Sequence, residues 1–398
     1  MRILVLGGDG FLGWVSAMHL AASGHDVAVL DSGVRRAYDA ELGTSSLVPI
    51  GTLAERVAVW AAVGGRPIEA FTGDVCEPGL VAGVMERFGP EAVVHFAEQR
   101  SAPYSMIDRD HAVHTQVNNV VGTLNVLYAI AGTGVHLVKL GTMGEYGTPN
   151  VGIEEGWLEL THRGRRDRVL FPKRPGSFYH LSKVHDSHNI EFACRVWGVA
   201  ATDLNQGVVY GVETDETRAD ARLGTRFDYD QVFGTVLNRM VVQAALGEAL
   251  TVYGSGGQVR GMLDVRDTVA CVRLAVEHPA EPGEFRVFNQ FTEQFGVREL
   301  AERVRSLAPA EIKIDELDNP RVEADGHYYN AAHTKLLDLG LVPHLLDDAT
   351  ITGLLRLAHT HRDRIDRRVI QPTINWRRTT NALADDESPA DDESPADE

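Results

Sequence analysis

The stretch ILVLGGDGFLGWVSAMHLAASGHDVAVLD, residues 3–31, decides the fold. It contains an apolar strand, a glycine-rich turn, a helical stretch and a second apolar strand that ends at Asp31. A change from strand to helix and back to strand within so few residues is typical of a βαβ unit. The amino-terminal part of the chain is therefore predicted to contain parallel strands joined by a crossover helix.

The turn fits two glycine patterns, G-x-G-x-x-G through Gly8, Gly10 and Gly13, and G-x-x-G-x-x-G through Gly7, Gly10 and Gly13. In both patterns the glycines let the backbone approach a pyrophosphate, and the free N–H groups and dipole of the helix favour its negative charge. The turn predicts a dinucleotide site. Because a strand precedes the glycines and a helix follows them, the signal is stronger than a glycine triplet alone.

Asp31, at the end of the second strand, is placed to accept hydrogen bonds from the adenosine ribose and to repel a 2′-phosphate. This favours NAD over NADP. Arg35 and Arg36 follow closely and are able in principle to hold a 2′-phosphate, so the preference stays open on charge alone. Arg35 is retained as a candidate contact of the cofactor.

Further apolar strands are predicted to end at Asp74 and to span 91–98 and 136–142, with a helical face between the last two. The class is α/β, a doubly wound, mostly parallel sheet of Rossmann type with a smaller carboxyl-terminal domain. Ligands of such sheets bind at the carboxyl ends of the strands. We therefore expect Thr142 at the site and expect the cofactor to contact Asp74, Val75 and Asn118.

Tyr179 and Lys183 stand four residues apart in GSFYHLSKVHDSH, with His180 next to the tyrosine. On a helix this spacing places both side chains on one face. A free tyrosine titrates near pH 10, too high to accept a proton at neutral pH. A lysine ammonium and a nicotinamide cation nearby would favour the phenolate, which could then take a proton from an alcohol while NAD takes the hydride.

The 398 residues carry a formal net charge of −18, of which eight negative charges lie in the repeat between Asp385 and Glu398. A body that is still acidic argues against a nucleic-acid partner. The basic run 162–168 is interpreted as a solvated loop. Cys76, Cys194 and Cys271 are widely spaced, the histidines suggest no metal site, and no apolar run is long enough for a membrane span. We expect a cytoplasmic protein.

The domain organisation is predicted as an NAD-binding domain over 1–203, a substrate domain over 204–380 that partly returns to the first, and a disordered acidic tail over 381–398. The long insertion 35–70 between the second and third strands has no role that its pattern reveals.

The glycine turn, Thr142 and the Tyr179/Lys183 pair, in this order, resemble the extended short-chain dehydrogenase/reductase superfamily, over most of the chain. The resemblance implies that Tyr179 and Lys183 also contact the cofactor and that the carboxyl-terminal part binds a sugar nucleotide. It further implies that Asn205, Arg260 and Arg321 hold the diphosphate, with Gln206 also at the substrate. Relatives associate through helices, so faces at 117–130 and 183–197 are expected to form a homodimer.

Several reactions share this scaffold. The 4,6-dehydratases carry an acidic pair directly after the catalytic threonine, where this chain has Met143 and Gly144. Five runs (95–108, 138–150, 178–190, 201–212 and 285–295) instead resemble one family of this superfamily, which converts UDP-glucose and sulfite into a sulfonated sugar nucleotide.

That resemblance implies oxidation at C4, loss of water across C5 and C6, addition of sulfite at C6 and reduction at C4. His180 is the first candidate for the acid and base of water loss, because an ordinary histidine titrates near neutrality. Glu145 and Thr142 are alternatives. Arg100, with Gln99 and Ser101, is the candidate sulfite site. A UDP-glucose 4-epimerase or another nucleotide-sugar dehydratase, and an NAD-binding regulator without catalysis, remain open alternatives.

Overall fold

The computed structural model describes residues 1–321, 323 and 328–376. Its strands are β1 (Arg2–Leu6), β2 (Asp26–Asp31), β3 (Ile68–Thr72), β4 (Ala92–His95), β5 (His136–Thr142), β6 (Trp157–His162), β7 (Arg165–Leu170), β8 (Ala200–Gln206), β9 (Val208–Tyr210), β10 (Leu250–Tyr253), β11 (Val259–Asp264), β12 (Phe285–Gln290), β13 (Glu293–Gly296) and β14 (Ile314–Leu317). Its α-helices are α1 (Phe11–Ala22), α2 (Val34–Leu42), α3 (Leu53–Ala62), α4 (Leu80–Phe88), α5 (Arg109–Gln116), α6 (Gly122–Ile130), α7 (Phe178–Trp197), α8 (Val236–Leu246), α9 (Val265–Glu277), α10 (Val297–Leu307), α11 (Lys335–Asp338) and α12 (Asp348–Thr360).

Seven strands form one sheet in the order β12-β8-β5-β4-β1-β2-β3. Every neighbouring pair in this sheet is parallel. The chain leaves β1 toward β2 and later returns to β4 on the other side of β1, so the direction of winding reverses between β1 and β4. A crevice opens at such a reversal beyond the carboxyl ends of the strands. The predicted doubly wound α/β class is confirmed.

Strand β1 shows how the sheet is covered on both faces. Ile3 and Val5 pack with α1 and α9 on one face, whereas Leu4 and Leu6 pack with α4, α6 and α7 on the other. Because successive strand side chains point to opposite faces, a run that is apolar at every position is what a strand buried on both sides requires.

The carboxyl-terminal part packs around a second apolar core, which joins α8, α10 and α12. Strands β9, β11 and β13 form a small sheet beside this core, and β10 pairs with β14. Strand β12 lies in the large sheet, parallel to β8. The domain limits given above stay a prediction, and the proposed acidic tail at 381–398 lies outside the described residues.

The structure corrects the prediction for one segment and shows the secondary structure of another. The basic run 162–168 is not a loop, because it lies in an exposed antiparallel hairpin formed by β6 and β7. Arg163 has φ 50° and Gly164 φ 77°, and these left-handed conformations make the tight turn. The insertion 35–70 carries most of α2 and all of α3.

Among the described residues, no helix combines the length and apolar character that a membrane crossing requires.

Candidate active site

A cavity of about 1010 Å³ lies at the carboxyl ends of the parallel strands. Residues that follow β1, β2, β3, β4, β5 and β8 contribute to one side of its wall, and residues of the carboxyl-terminal part contribute to the other. The cavity therefore lies where the topology of the sheet requires a ligand crevice.

The glycine turn forms one end of the cavity, and its shape requires glycine. A Cβ added to Gly13 would lie 2.0 Å from the carbonyl oxygen of Gly7, and one added to Gly7, where φ is 90°, would lie 2.8 Å from the backbone nitrogen of Ala97. Gly10 is the N-cap of α1 and provides no side-chain acceptor for the first N–H groups of the helix. These groups are free for an anion, so the turn fits the pyrophosphate of a dinucleotide.

Asp31 lies in the cavity wall at the end of β2. Its two carboxylate oxygens accept hydrogen bonds from the backbone N–H groups of Gly33 (2.7 Å) and Asp9 (2.8 Å). Burial raises the pKa of Asp31, and these two hydrogen bonds act in the opposite direction. The carboxylate is thus held in one orientation in the cavity wall, and its contact with an adenosine ribose stays a prediction.

The other predicted cofactor residues are distributed around the same end. Asp74, Val75 and Asn118 line the cavity. Arg35 also lines it, but its guanidinium pairs with Asp39 at 2.6 Å and Asp228 at 3.3 Å. The arginine is therefore already bound to two carboxylates.

The predicted catalytic residues meet at the start of α7 and the end of β5. Ser177 caps α7 by accepting the N–H of His180 at 3.1 Å. Tyr179 and Lys183 lie one turn apart, and Lys183 Nζ is 5.8 Å from the centre of the tyrosine ring. Thr142, the last residue of β5, is close enough to act on the Tyr179 hydroxyl, and it lowers the pKa of that tyrosine against the larger effect of burial. The structure thus brings Thr142, Tyr179 and Lys183 together on the cavity wall.

The protein alone does not produce the lowered pKa of Tyr179 that the sequence predicts beside a lysine ammonium and a nicotinamide cation. Burial raises the pKa to about 12, and this outweighs the nearby positive charges of Lys139 and Arg100. Burial also lowers the pKa of Lys183 to about 8. A bound nicotinamide would supply additional positive charge in favour of the phenolate.

Lys183 has a carboxylate partner that the sequence did not suggest. Its Nζ donates to Leu140 O at 2.7 Å and to the Glu98 carboxylate, which also faces Lys139 at 3.9 Å. Glu98 directly precedes Gln99 and Arg100 beyond β4, so the strand-end rule would have found it if applied one residue earlier.

His180 lies on the cavity wall beside Tyr179, with ring centres 5.1 Å apart. Its Nδ1 is 3.0 Å from Ser177 Oγ. The expected pKa near neutrality is wrong, because burial, together with Arg321 and Arg260, lowers the pKa to about 3. The imidazole is therefore neutral at physiological pH, so one of its ring nitrogens is open to accept a proton.

Glu145 does not reach the cavity wall among the described residues. Its carboxylate is fully buried, where it pairs with Lys173 and accepts a hydrogen bond from Ser187 Oγ at 3.0 Å. Burial raises its pKa, against the effect of Lys173. Glu145 therefore lies in the interior behind Thr142 and not on the wall of the cavity.

The predicted sulfite residues Gln99, Arg100 and Ser101 all line the cavity. Two of the three side chains already have protein partners: Gln99 donates to Ser101 O (3.0 Å) within the loop, and Ser101 donates to Val232 O (2.5 Å), 131 residues further along the chain. Arg100 donates to Asp228, a residue far along the chain, and its guanidinium lies 5.6 Å from the Phe233 ring centre. Arg100 is the member of the trio with a charge facing the cavity.

On the carboxyl-terminal side, Arg260 and Arg321 line the cavity, and both charges act on His180. Arg260 pairs with Glu323 at 2.6 Å, and the Arg321 guanidinium lies 5.0 Å from the centre of the Trp376 ring. Gln206 reaches the wall as well. Asn205 does not line the wall, because it is fully buried and donates to the Tyr146 hydroxyl at 2.7 Å.

The cavity thus combines a dinucleotide turn, a Thr/Tyr/Lys set and an arginine pair, as expected of a short-chain dehydrogenase/reductase acting on a nucleotide sugar. The family model "NAD dependent epimerase/dehydratase family" matches residues 3–289. The chain belongs to this family, and NAD is confirmed as the cofactor.

Two relatives are more specific. The chain is 55% identical to the chloroplastic UDP-sulfoquinovose synthase of Spinacia oleracea, over 95% of this chain and 79% of the relative. It is 42% identical to the UDP-sulfoquinovose synthase of Sulfolobus acidocaldarius, over 95% of this chain and 98% of the relative. Within the wider family, the chain belongs to the UDP-sulfoquinovose synthases.

Solved structures support the fold. The UDP-glucose 4-epimerase of Thermus thermophilus, in complex with NAD, superposes with a TM-score of 0.63 at 24% identity, over 92% of this chain and 100% of that chain. The UDP-glucuronic acid 4-epimerase of Bacillus cereus, with UDP-glucuronic acid and NAD, gives a TM-score of 0.67 at 17% identity, over 92% of this chain and 99% of the other.

Proposed function

We propose that the protein converts UDP-glucose and sulfite into UDP-sulfoquinovose and water. The observation that carries this proposal is the similarity to two UDP-sulfoquinovose synthases, 55% and 42% identical over 95% of this chain. The site supports it, because a neutral histidine lies beside Thr142, Tyr179 and Lys183. NAD, when bound, would accept a hydride from C4 of the glucose and later return it to the same carbon.

The chain's own residues handle the protons of the C4 hydroxyl. Tyr179, as a phenolate, takes the hydroxyl proton, and Thr142 holds the same oxygen by a hydrogen bond. Lys183 and the nicotinamide charge favour the phenolate form. When the ketone is reduced again, Tyr179 returns the proton, so it ends the cycle as it began.

Water loss needs a base for the C5 proton and an acid for the C6 hydroxyl. A ketone at C4 makes the C5 proton acidic, and neutral His180 is the base on the cavity wall next to Tyr179. Its imidazolium then returns that proton to the departing hydroxyl as water. Hydrogen sulfite adds through sulfur at C6 of the resulting alkene, and its proton goes to C5, so atoms and charges balance.

The anionic groups of the substrates match the arginines. Arg260 and Arg321 are proposed to bind the diphosphate, since they line the side of the cavity formed by the carboxyl-terminal part. Arg100 is proposed to bind sulfite from the strand side. Its present partner, Asp228, keeps the charge oriented until an anion enters.

The direct experiment is incubation of the purified protein with UDP-glucose, with and without sulfite, followed by mass analysis of the sugar nucleotides. We expect a sulfite-dependent product in which sulfonate replaces hydroxyl. UDP-galactose in both samples would instead establish an epimerase, and unchanged UDP-glucose in both would exclude UDP-glucose as the substrate.

We further propose that the protein is a homodimer and acts in the cytoplasm. The dimer is supported by aromatic and aliphatic side chains exposed on α6 and α7. A reducing compartment is consistent with three free cysteines, although the spinach relative is named chloroplastic. Fractionation of the source cells tests the location.

A further inference from the structure

Asp9, the variable residue between Gly8 and Gly10, binds two arginines. Arg36 donates to its carboxylate through Nε (2.6 Å) and Nη2 (2.9 Å). Arg56 donates through Nη2 to the carboxylate at 2.6 Å and to the backbone oxygen of Asp9 at 3.1 Å. The carboxylate itself is only 5% exposed. A residue of the glycine turn thus anchors two cations that lie far from it in sequence.

Both arginines come from the insertion between the second and third strands, Arg36 from α2 and Arg56 from α3. Arg56 is completely buried, with its guanidinium 4.8 Å from the centre of the Trp14 ring. A buried guanidinium requires a charged partner. Asp9 provides this partner, so the insertion is fastened directly to the turn that receives the pyrophosphate.

Asp9 also fixes the acid of the ribose site, since its backbone N–H donates to Asp31 at 2.8 Å. Arg36 lies close enough that the Asp31 charge contributes to raising the pKa of Arg36, after the larger effect of Asp9. Arg35 is paired elsewhere, with Asp39 and Asp228. Every arginine that sequence or structure places near Asp31 is therefore bound to a carboxylate.

NADP differs from NAD by a 2′-phosphate on the ribose that Asp31 is placed to bind. Accepting that phosphate would require a cation beside Asp31. Arg36 is the least enclosed of the three arginines, with a side chain 35% exposed, and its one further contact among the described residues is a neutral one, to Gly51 O at 2.7 Å. We propose that Asp9 determines cofactor specificity: by holding Arg36, it denies NADP a cation that the chain otherwise possesses. The proposal concerns the nucleotide site and is independent of the sugar chemistry.

The test is Asp9→Asn, which keeps the shape and an acceptor oxygen but removes the charge. Nucleotide-free protein is titrated calorimetrically with NAD and with NADP. Arg36, no longer held by a carboxylate, would then make a charge-assisted contact with the 2′-phosphate. We expect NADP to bind at least about tenfold more tightly, and the affinity for NAD to change far less. Adding Arg36→Met to this variant should abolish the gain.

Loss of the Asp9 charge leaves Arg56 buried without a full partner, so Asp9→Asn alone risks poor folding. Asp9→Asn with Arg56→Met removes both buried charges and should show the same gain for NADP. Asp26→Asn is the matched control, because it removes a carboxylate paired with Arg66 at the opposite end of β2. Unchanged NADP affinity in the folded variants, or a gain that survives Arg36→Met, would overturn the proposal.

Discussion

The imidazole of His180 occupies the space that a side chain at position 144 would need. A Cβ added to Gly144 would lie 2.3 Å from both Nε2 and Cδ2 of the ring. The 4,6-dehydratases of this superfamily differ from this chain in carrying an acidic pair directly after the catalytic threonine, at the positions of Met143 and Gly144. Here the glycine leaves room for a histidine from α7, so the proposed base of water loss comes from a different element.

Gly144→Ala should therefore displace His180 without touching the cofactor. A shift of about 1 Å in a catalytic group costs on the order of a hundredfold in rate, so we expect a loss of that order in kcat, with NAD affinity unchanged. Gly83→Ala, in α4 with no atom near an added Cβ, is the matched control. Near-normal turnover in Gly144→Ala would show that the ring position does not matter.

Binding of NAD should favour ionisation of the Tyr179 hydroxyl. Because burial raises its pKa to about 12 in the protein alone, nucleotide-free protein should show no Tyr179 phenolate at moderately alkaline pH. The positive nicotinamide lowers that pKa. Ultraviolet difference spectra of protein with and without NAD, with Tyr179→Phe as the reference, should reveal a tyrosinate only in the loaded wild type. Identical spectra in both states would contradict the activation of Tyr179 by the cofactor.

Arg260 should contribute to UDP-sugar binding. Arg260→Met removes a charge from the cavity wall, and loss of a charge-assisted contact to phosphate predicts UDP affinity weaker by about tenfold or more. Arg266→Met is matched to it, since Arg266 pairs with Asp264 and lies outside the cavity wall. Calorimetric titration with UDP measures both variants. Equal affinities in the two variants would place the diphosphate elsewhere.

Much of the candidate site could be predicted from local sequence patterns. The glycine turn, Tyr179 and Lys183 depend on spacing within one turn or one helix, and such spacing is visible in sequence. Asn205 and Glu145 show the limit. Side chains of a strand alternate between its faces. Gln206 therefore reaches the cavity, whereas Asn205 is buried in the interior, where it donates to the Tyr146 hydroxyl.

The remaining features depend on contacts between distant segments. Arg100 meets Asp228 across 128 residues of chain, and Asp9 meets Arg56 across 47. No local pattern indicates which carboxylate an arginine will pair with, because the pairing is set by how the insertion and the carboxyl-terminal part fold back onto the sheet. The lowered pKa of His180 has the same origin, since burial and the distant Arg260 and Arg321 produce it.

Stability should fall in mild acid because of buried histidines. Burial lowers the pKa of His95 to about 3 and that of His136 to about 4, whereas the unfolded chain binds these protons near pH 6.5. Below that pH the unfolded state holds more protons, so the free energy of unfolding decreases as pH falls from about 6.5 toward 4. Each histidine contributes at most about 1.4 kcal/mol per pH unit.

Urea unfolding at several pH values in this window measures the slope. His136→Gln should flatten it, because one group no longer titrates between the two states. His162→Gln, in the exposed hairpin, is the control for loss of a histidine. A slope unchanged by His136→Gln would mean that another group sets the acid sensitivity.

The proposed dimer can be tested on the aromatic side chains that α6 and α7 expose. Tyr128 is 70% exposed and Phe192 47% exposed, and the Trp197 ring lies 5.1 Å and 6.1 Å from their ring centres, respectively, so that the three form one continuous patch. Exposed apolar patches of this kind mark protein interfaces. A charge placed there would have to be buried without a partner.

The variant Tyr128→Lys with Phe192→Lys should therefore be a monomer in sedimentation velocity. The control is Val342→Lys, at an exposed apolar position of the carboxyl-terminal part, which should leave the dimer intact. A monomeric wild type, or a double variant that still dimerises, would show that this patch has another purpose.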